Sequence, residues 1–147
     1  MSMLLRPKLS YTFVLQRSYC ACTTFNENSG SKYVYVNKDM NWTDAQKYCR
    51  ANHTDLASVR NQSENDAIEQ LLMDNFAWIG LYSESWRWSD GQRLKMTSFS
   101  KWNPSQRVDV ENSCVTTGSG VWNIRPCSNK YPFICSDCYL KVGATNA

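Results

Sequence analysis

Seven cysteines constrain the fold of this 147-residue chain more than any other feature of its sequence. Four of them form two close pairs, Cys20 with Cys22 and Cys135 with Cys138. The other three stand alone as Cys49, Cys114 and Cys127. Two close pairs are compatible with a four-thiolate zinc site, whereas isolated cysteines are typical of disulfide partners. With a single histidine available as a further ligand, the cysteines favour a disulfide-bonded extracellular domain over a zinc or redox protein.

Three N-glycosylation sequons point to the same compartment. They begin at Asn41, Asn52 and Asn61, and we expect these asparagines to carry glycans. Asn103-Pro104-Ser105 is not a sequon, because proline in the middle position blocks it. We therefore expect an extracellular protein, either secreted or the ectodomain of a larger membrane protein.

Length, charge and hydropathy exclude several classes of protein. The length suits one domain, and the net charge of +3 comes from scattered lysines and arginines, so no nucleic-acid partner is predicted. No apolar run approaches the roughly 20 residues of a membrane span. We interpret residues 1–31 as a poor signal peptide or linker, residues 32–136 as the domain and residues 137–147 as a C-terminal tail.

Two amphipathic helices are predicted in the first half of the chain. Thr43 is the expected N-cap of the first, with Gln46 at the capping-box position and Cys49 on the buried face. Asn61 is the expected N-cap of the second, with Glu64 three residues later. The apolar stripe of the second helix consists of Ala67, Ile68, Leu71 and Leu72, and we assign it to the core.

Strands are predicted before and after these helices. The expected strands are Lys32 to Val36, Phe76 to Tyr82, Val121-Trp122 and Tyr131 to Cys135. Ser89-Asp90-Gly91-Gln92 reads as a turn, and Ser98 to Ser113 as a long loop, which in a compact domain is often functional. Five tryptophans are assigned to the core: Trp42, Trp78, Trp88, Trp102 and Trp122. Trp86 is assigned either to the core or to an exposed stacking surface.

The order of these features resembles that of the C-type lectin-like domain family over residues 32–136. The core strand carries Trp78-Ile79-Gly80-Leu81, and Trp86-Arg87-Trp88-Ser89-Asp90-Gly91 follows it. The other matching motifs are Trp42 to Cys49, Ala57-Ser58-Val59, Cys114-Val115, Trp122 before Cys127, and Pro132-Phe133-Ile134-Cys135. The resemblance implies an α+β fold, in which two helices flank small antiparallel sheets and a long loop region.

The resemblance also implies the disulfides Cys49–Cys135 and Cys114–Cys127. In the chain-entropy model they would stabilise the domain by very roughly 4 and 3 kcal/mol. Cys138 is then expected to pair with Cys20 or Cys22, which leaves one thiol free or bonded to another chain.

Lectins of this family bind Ca²⁺ in the long loop, and the motifs for this are degenerate here. The resemblance places the calcium-binding tripeptide at Gln106-Arg107-Val108, without its usual cis-proline and without a side-chain oxygen at Val108. The family's Trp-Asn-Asp triplet is Trp122-Asn123-Ile124. An alternative alignment at Asn103-Pro104-Ser105 keeps a proline but lies too close to Trp102. Calcium needs six to eight oxygen ligands, so we predict no cofactor and weak or no calcium dependence.

Four residues remain as expected contacts to a ligand: Gln106, Asp109, Glu111 and Asn123. For Gln106, Asp109 and Glu111 the alternative is that they belong to a solvated loop. No nucleophile, metal-hydrolase or phosphate-loop motif is present, and His53 is expected at the surface, so the chain is predicted not to be an enzyme. We expect an extracellular domain that binds a glycan, a glycoprotein or a protein ligand through its long loop. The alternative is a structural or protein-interaction module of a larger receptor or matrix protein, with no sugar binding.

Overall fold

The structure is a computed structural model that describes residues 32–96 and 98–137. Two helices, α1 and α2, span Trp42–Asn52 and Gln62–Leu72. The strands are β1 (Tyr33–Met40), β2 (Asp55–Leu56), β3 (Ala77–Tyr82), β4 (Arg87–Trp88), β5 (Ser113–Gly118), β6 (Val121–Pro126) and β7 (Tyr131–Ser136). A 3₁₀ turn covers Leu94–Met96. Cys20, Cys22, Cys138 and the predicted N-terminal segment lie outside the described residues.

The described strands form one connected sheet, with the order β1-β7-β3-β5-β6. The short strands β2 and β4 pair with β7 and β3. Every ladder is antiparallel except the contact between β3 and β7, where Trp78 lies opposite Phe133 in parallel orientation. The sheet is therefore mixed, because the last strand inserts between the first strand and the core strand instead of forming a separate antiparallel sheet.

The N-terminus of α1 differs from the prediction by two residues. Asn41, not Thr43, is the N-cap, and its side-chain oxygen accepts a hydrogen bond of 2.9 Å from the backbone N–H of Asp44. The helix thus begins at Trp42, whose ring is buried and whose indole N–H donates to the carbonyl of Ile79 at 2.9 Å. Burial of this ring requires Trp42 to lie in the first turn, so Thr43 is inside the helix and exposed.

The N-cap of α2 is the predicted one. The side chain of Asn61 accepts a 2.8 Å hydrogen bond from the N–H of Glu64. The Glu64 carboxylate reaches back to the N–H of Arg60, one residue before the N-cap, so the reciprocal half of the capping box is shifted. Ile68 and Leu72 are each 1% exposed and anchor the helix to the core.

Two apolar clusters hold the helices on the sheet. One lies beneath α2 and contains Ile68, Leu72, Ile79, Trp88 and Trp122. The other lies beneath α1 and contains Trp42, Cys49, Trp78, Phe133 and Cys135. Trp102, which was expected in the core, is only partly buried against the first cluster.

Both disulfides implied by the family resemblance are present. Cys49–Cys135 joins α1 to β7 across 86 residues of sequence, and Cys114–Cys127 joins β5 to the segment after β6 across 13 residues. His53, at the C-terminal cap of α1, is not a free surface side chain. Its Nδ1 lies 2.9 Å from Asp137, which connects α1 to the end of β7. No helix within the described residues is long and apolar enough to span a bilayer.

Candidate functional site

The long loop, defined here as residues 98–112, is held against the edge of the sheet by backbone hydrogen bonds. The Trp122 N–H donates to the carbonyl of Lys101 at 2.7 Å, and the Asn103 N–H donates to the carbonyl of Trp122 at 2.9 Å. Trp102 therefore pairs with Trp122 in parallel orientation, as an added strand would. Because β6 is an edge strand, this pairing uses backbone groups that would otherwise be open to another chain.

An aromatic cluster packs against the inner side of the long loop and holds it in place. The Trp122 ring is fully buried, and it lies 5.7 Å from the ring of Trp102 and 5.9 Å from that of Phe99, both edge-on. Trp86 packs on Trp102 at 4.7 Å, and its indole N–H donates to the carbonyl of Val108 at 2.8 Å. Trp86 is thus a packing residue of the loop, with part of its surface still accessible.

Asn103 organises the turn that follows. Its side-chain oxygen accepts from the N–H of Ser105 at 3.1 Å and from the Ser105 hydroxyl at 2.9 Å, a local turn typical of asparagine. Its carbonyl accepts from the N–H of Gln106 at 3.0 Å. The segment Asn103-Pro104-Ser105 therefore forms a turn that positions Gln106. This is the segment that the alternative alignment placed at the metal-binding tripeptide.

The side-chain oxygen of Gln106 is used within the fold. It accepts a short hydrogen bond from the backbone N–H of Ile124 on β6. This is the next outward-facing donor after Trp122, so the Gln106 carboxamide continues the edge pairing where the loop backbone leaves the strand. The described peptide bonds, including those of this tripeptide, are all trans.

The Asn123 side chain is also engaged. Asn123 is 5% exposed, and its side-chain oxygen accepts from the carboxamide N–H of Asn103 at 2.9 Å. The Asn103, Gln106 and Asn123 oxygens thus each accept a hydrogen bond from the protein. A metal ion would have to displace these donors, several of which would lose their only acceptor.

Asp109 forms an exposed ion pair with Arg107. The guanidinium of Arg107 lies 3.0 Å from the carboxylate of Asp109, and both side chains project into solvent. The hydrogen bond from Arg107 holds the pKa of the Asp109 carboxyl below its ordinary value, with a smaller contribution from the charge itself. Asp109 is therefore ionised at neutral pH and already neutralised by its neighbour.

Glu111 lies elsewhere, in a cleft of about 610 Å³ beside the start of α1. The residues lining this cleft include Glu84 and also Trp42 and Tyr82, whose ring centroids are 5.3 Å apart. Gln106, Asp109 and Asn123 do not line it. The structure consequently brings Gln106 and Asn123 together on β6 through Asn103 and Ile124, and separates both from Glu111.

Asn65 is a buried polar residue that the sequence reasoning missed. It is 2% exposed, and its side-chain oxygen accepts from the indole N–H of Trp122 at 3.0 Å. Its spacing to Ile68 and Leu72 along α2 was an available signal, since an asparagine three residues before an apolar position lies on the same helix face. Asn65 links α2 to the tryptophan beneath the loop.

The described residues do not gather their metal-ligating side chains into a cluster. They contain no group of three or more histidine, cysteine, aspartate or glutamate side chains placed to share a metal ion. The arrangement instead presents a rigidly anchored loop with exposed polar and apolar side chains, which is suited to binding.

Comparison with known proteins identifies the chain's relatives. A family model described as the lectin C-type domain matches residues 38–137. Human C-type lectin domain family 10 member A is 26% identical over 126 residues, which is 79% of this chain and 40% of the human protein. A lectin from Pleurodeles waltl is 31% identical over 119 residues, 71% of this chain and 69% of that lectin.

A solved structure supports the same relationship. The complex of SPL-1 with GlcNAc superimposes with a TM-score of 0.63 at 26% sequence identity, and covers 73% of this chain and 88% of SPL-1.

Proposed function

This chain belongs to the C-type lectin domain family, whose members are recognition proteins and not enzymes, and from that premise we propose that it binds glycans through its long loop without requiring calcium. Family membership supports ligand recognition in general. The glycan class is supported by the lectin relative and by the structural similarity to SPL-1 bound to GlcNAc.

The observation that carries the calcium independence is the hydrogen bonding of three carboxamide oxygens. Those of Asn103, Gln106 and Asn123 accept from protein donors, and Asp109 is paired with Arg107. Only Glu111, among the four residues expected to contact a ligand, has a side chain without a protein partner in the described part of the chain. One free carboxylate is far from the six to eight oxygens that calcium needs. The residues therefore do not fit a calcium site.

A protein ligand is the second candidate. Met96 is 82% exposed and Val108 is 42% exposed. Val108 lies beside the aromatic cluster, since its carbonyl accepts from the indole N–H of Trp86. Exposed apolar side chains of this kind are common at protein interfaces. In this case the chain would be an interaction module of a longer protein, and residues 32–136 would be its independently folded unit.

A glycan array tests the proposal. We expect the intact chain to bind a subset of glycans to the same level in EDTA and in excess Ca²⁺, because the loop is held by protein hydrogen bonds in both conditions. Heat-denatured chain on a duplicate array controls for nonspecific adhesion. Binding that disappears in EDTA would contradict the calcium independence, and an array without bound glycans would favour the protein ligand.

We further propose that the protein is extracellular and that its sequons carry glycans, with Asn61 the best acceptor. Asn61 is exposed and uses only its oxygen as the helix cap, so its amide nitrogen is available without loss of the cap. The amide nitrogens of Asn41 and Asn52 donate at 3.0 Å to Asp44 and to the carbonyl of Tyr48.

The mass of the chain secreted from eukaryotic cells, before and after glycosidase treatment, tests whether Asn61 carries a glycan. Ser63→Ala destroys the sequon but leaves the capping side chain in place, so we expect the loss of one glycosidase-sensitive mass with an unchanged melting temperature. Ser128→Ala, at an exposed position outside any sequon, is the matched control. An unchanged glycan mass in Ser63→Ala would show that Asn61 is not modified.

A further inference from the structure

Two arginines face each other across the hairpin that follows the core strand. Arg87 of β4 and Arg93 are directly opposite partners in an antiparallel bridge, so their side chains leave the same face. Arg87 is partly exposed and Arg93 is exposed. On the opposite face, the neighbouring Trp88 is buried in the core, which fixes the direction of the arginine side chains.

Neither arginine has an acidic partner within the described residues. The other arginines near the loop behave differently, since Arg60 pairs with Asp90 and Arg107 pairs with Asp109. Within the described residues, the side chain of Arg87 makes one long hydrogen bond, of 3.4 Å, to the carbonyl of Gly91. Its Nε–H is buried and lacks an acceptor in the described part of the protein.

This arrangement is unfavourable without a ligand. Like charges directly opposite on a sheet repel each other, and a buried donor of a charged group that lacks an acceptor costs free energy. An oxyanion placed between the two guanidinium groups would remove the repulsion, and it matches the forked donor geometry of arginine. A bound anion would therefore lower the free energy of the hairpin.

The surface beside the pair supplies an aromatic wall. Tyr82 lies directly opposite Arg87 on β3, and its ring packs at 5.3 Å against Trp42. Glu84 and Glu111 line the cleft on the Tyr82 side, and neither forms an ion pair with an arginine of the described residues. An acidic sugar with its anionic group over the arginines would therefore place an uncharged ring over Tyr82.

We propose that Arg87 and Arg93 form a binding site for the oxyanion of an acidic glycan, a sulfate ester or a sugar carboxylate. This inference rests on the proposed function for the glycan class, and it adds a second contact surface next to the long loop. The two surfaces are connected through Trp86, which precedes Arg87 and donates to the carbonyl of Val108.

Binding to immobilised heparin in EDTA tests the site. We expect saturable binding that weakens with added salt, and a loss of about tenfold or more in affinity for Arg87→Met/Arg93→Met, since two charge-assisted contacts disappear. Arg87→Lys/Arg93→Lys keeps both positive charges but lacks the forked donor geometry of arginine. Its heparin affinity should therefore lie between that of the unmodified chain and that of the double methionine variant. Lys47→Gln/Lys130→Gln removes the same charge from exposed positions elsewhere and should bind like the unmodified chain.

Three further probes identify the ligand chemistry. Binding to heparin alone assigns a sulfate ester, and equal binding to hyaluronan assigns a carboxylate, while neutral dextran should not bind.

Arg93→Met alone, at an exposed position, keeps the test valid if the double variant fails to fold. Heparin affinity that is unchanged in the two methionine variants would overturn the site. An equal loss of affinity in Lys47→Gln/Lys130→Gln would overturn it as well. Poly-glutamate bound as tightly as heparin would overturn the glycan assignment. Absence of heparin binding would refute this site but not the array result.

Discussion

Replacing Cys49 and Cys135 together by alanine is expected to lower the free energy of unfolding by about 4 to 5 kcal/mol. The disulfide closes a loop between residues 86 apart in sequence, so its loss restores much conformational freedom to the unfolded chain. Both cysteines are completely buried between α1 and β7, where the sulfur atoms also fill space in the core. Because a domain of this size has a stability of only about 5 to 15 kcal/mol, much of it should disappear.

The second disulfide is the matched control for this prediction. Cys114→Ala/Cys127→Ala opens a loop between residues only 13 apart, for which the same model gives about 3 kcal/mol. Urea unfolding followed by tryptophan fluorescence measures both variants against the unmodified chain. Equal losses, or a larger loss for the short loop, would show that chain entropy does not dominate the stabilisation.

Trp122→Ala is expected to cost about 3 to 5 kcal/mol and to loosen the long loop. The ring is fully buried, contacts Trp88, Phe99 and Trp102, and donates to the side chain of Asn65. Its removal leaves a large cavity and a buried asparagine oxygen without its donor. We expect backbone amides of β6 and the loop to exchange hydrogen faster, while those of β1 and β7 change less.

Trp122→Phe separates packing from the hydrogen bond. It retains most of the aromatic contact but leaves the Asn65 oxygen unpaired, so about 1 to 3 kcal/mol of loss is expected from that group alone. Asn65→Leu in the Trp122→Phe background should recover part of it. Hydrogen exchange of the loop unchanged in Trp122→Ala would contradict its role as the anchor of the loop.

The helices and main strands were predictable because their signals are local. Asn61 precedes a helical apolar stripe, and residues 76–82 form a run of apolar residues between polar segments. The start of α1 was misplaced because Asn41 and Thr43 are both good N-caps two residues apart. Only the burial of Trp42 against the carbonyl of Ile79, 37 residues away, decides between them.

The candidate ligand contacts were predictable as residue types, but their hydrogen-bond partners within the fold were not. Sequence shows that Gln106 and Asn123 carry oxygens of the kind that a metal binds. It does not show that Ile124, 18 residues away, donates to one, or that Asn103, 20 residues away, donates to the other. The Arg87–Arg93 pair was easier to predict, since the predicted turn at residues 89–92 lies between the two arginines.

Titration calorimetry with Ca²⁺ measures whether the folded chain binds calcium. The chain is first treated with EDTA and dialysed, and then titrated with calcium, with melting temperatures measured in parallel. We expect no saturable heat at submillimolar calcium and an unchanged melting temperature. The side-chain oxygens of Asn103, Gln106 and Asn123 already accept from protein donors, and a ligand that does not bind the folded state cannot stabilise it. A saturable transition at micromolar calcium, with a raised melting temperature, would contradict this expectation.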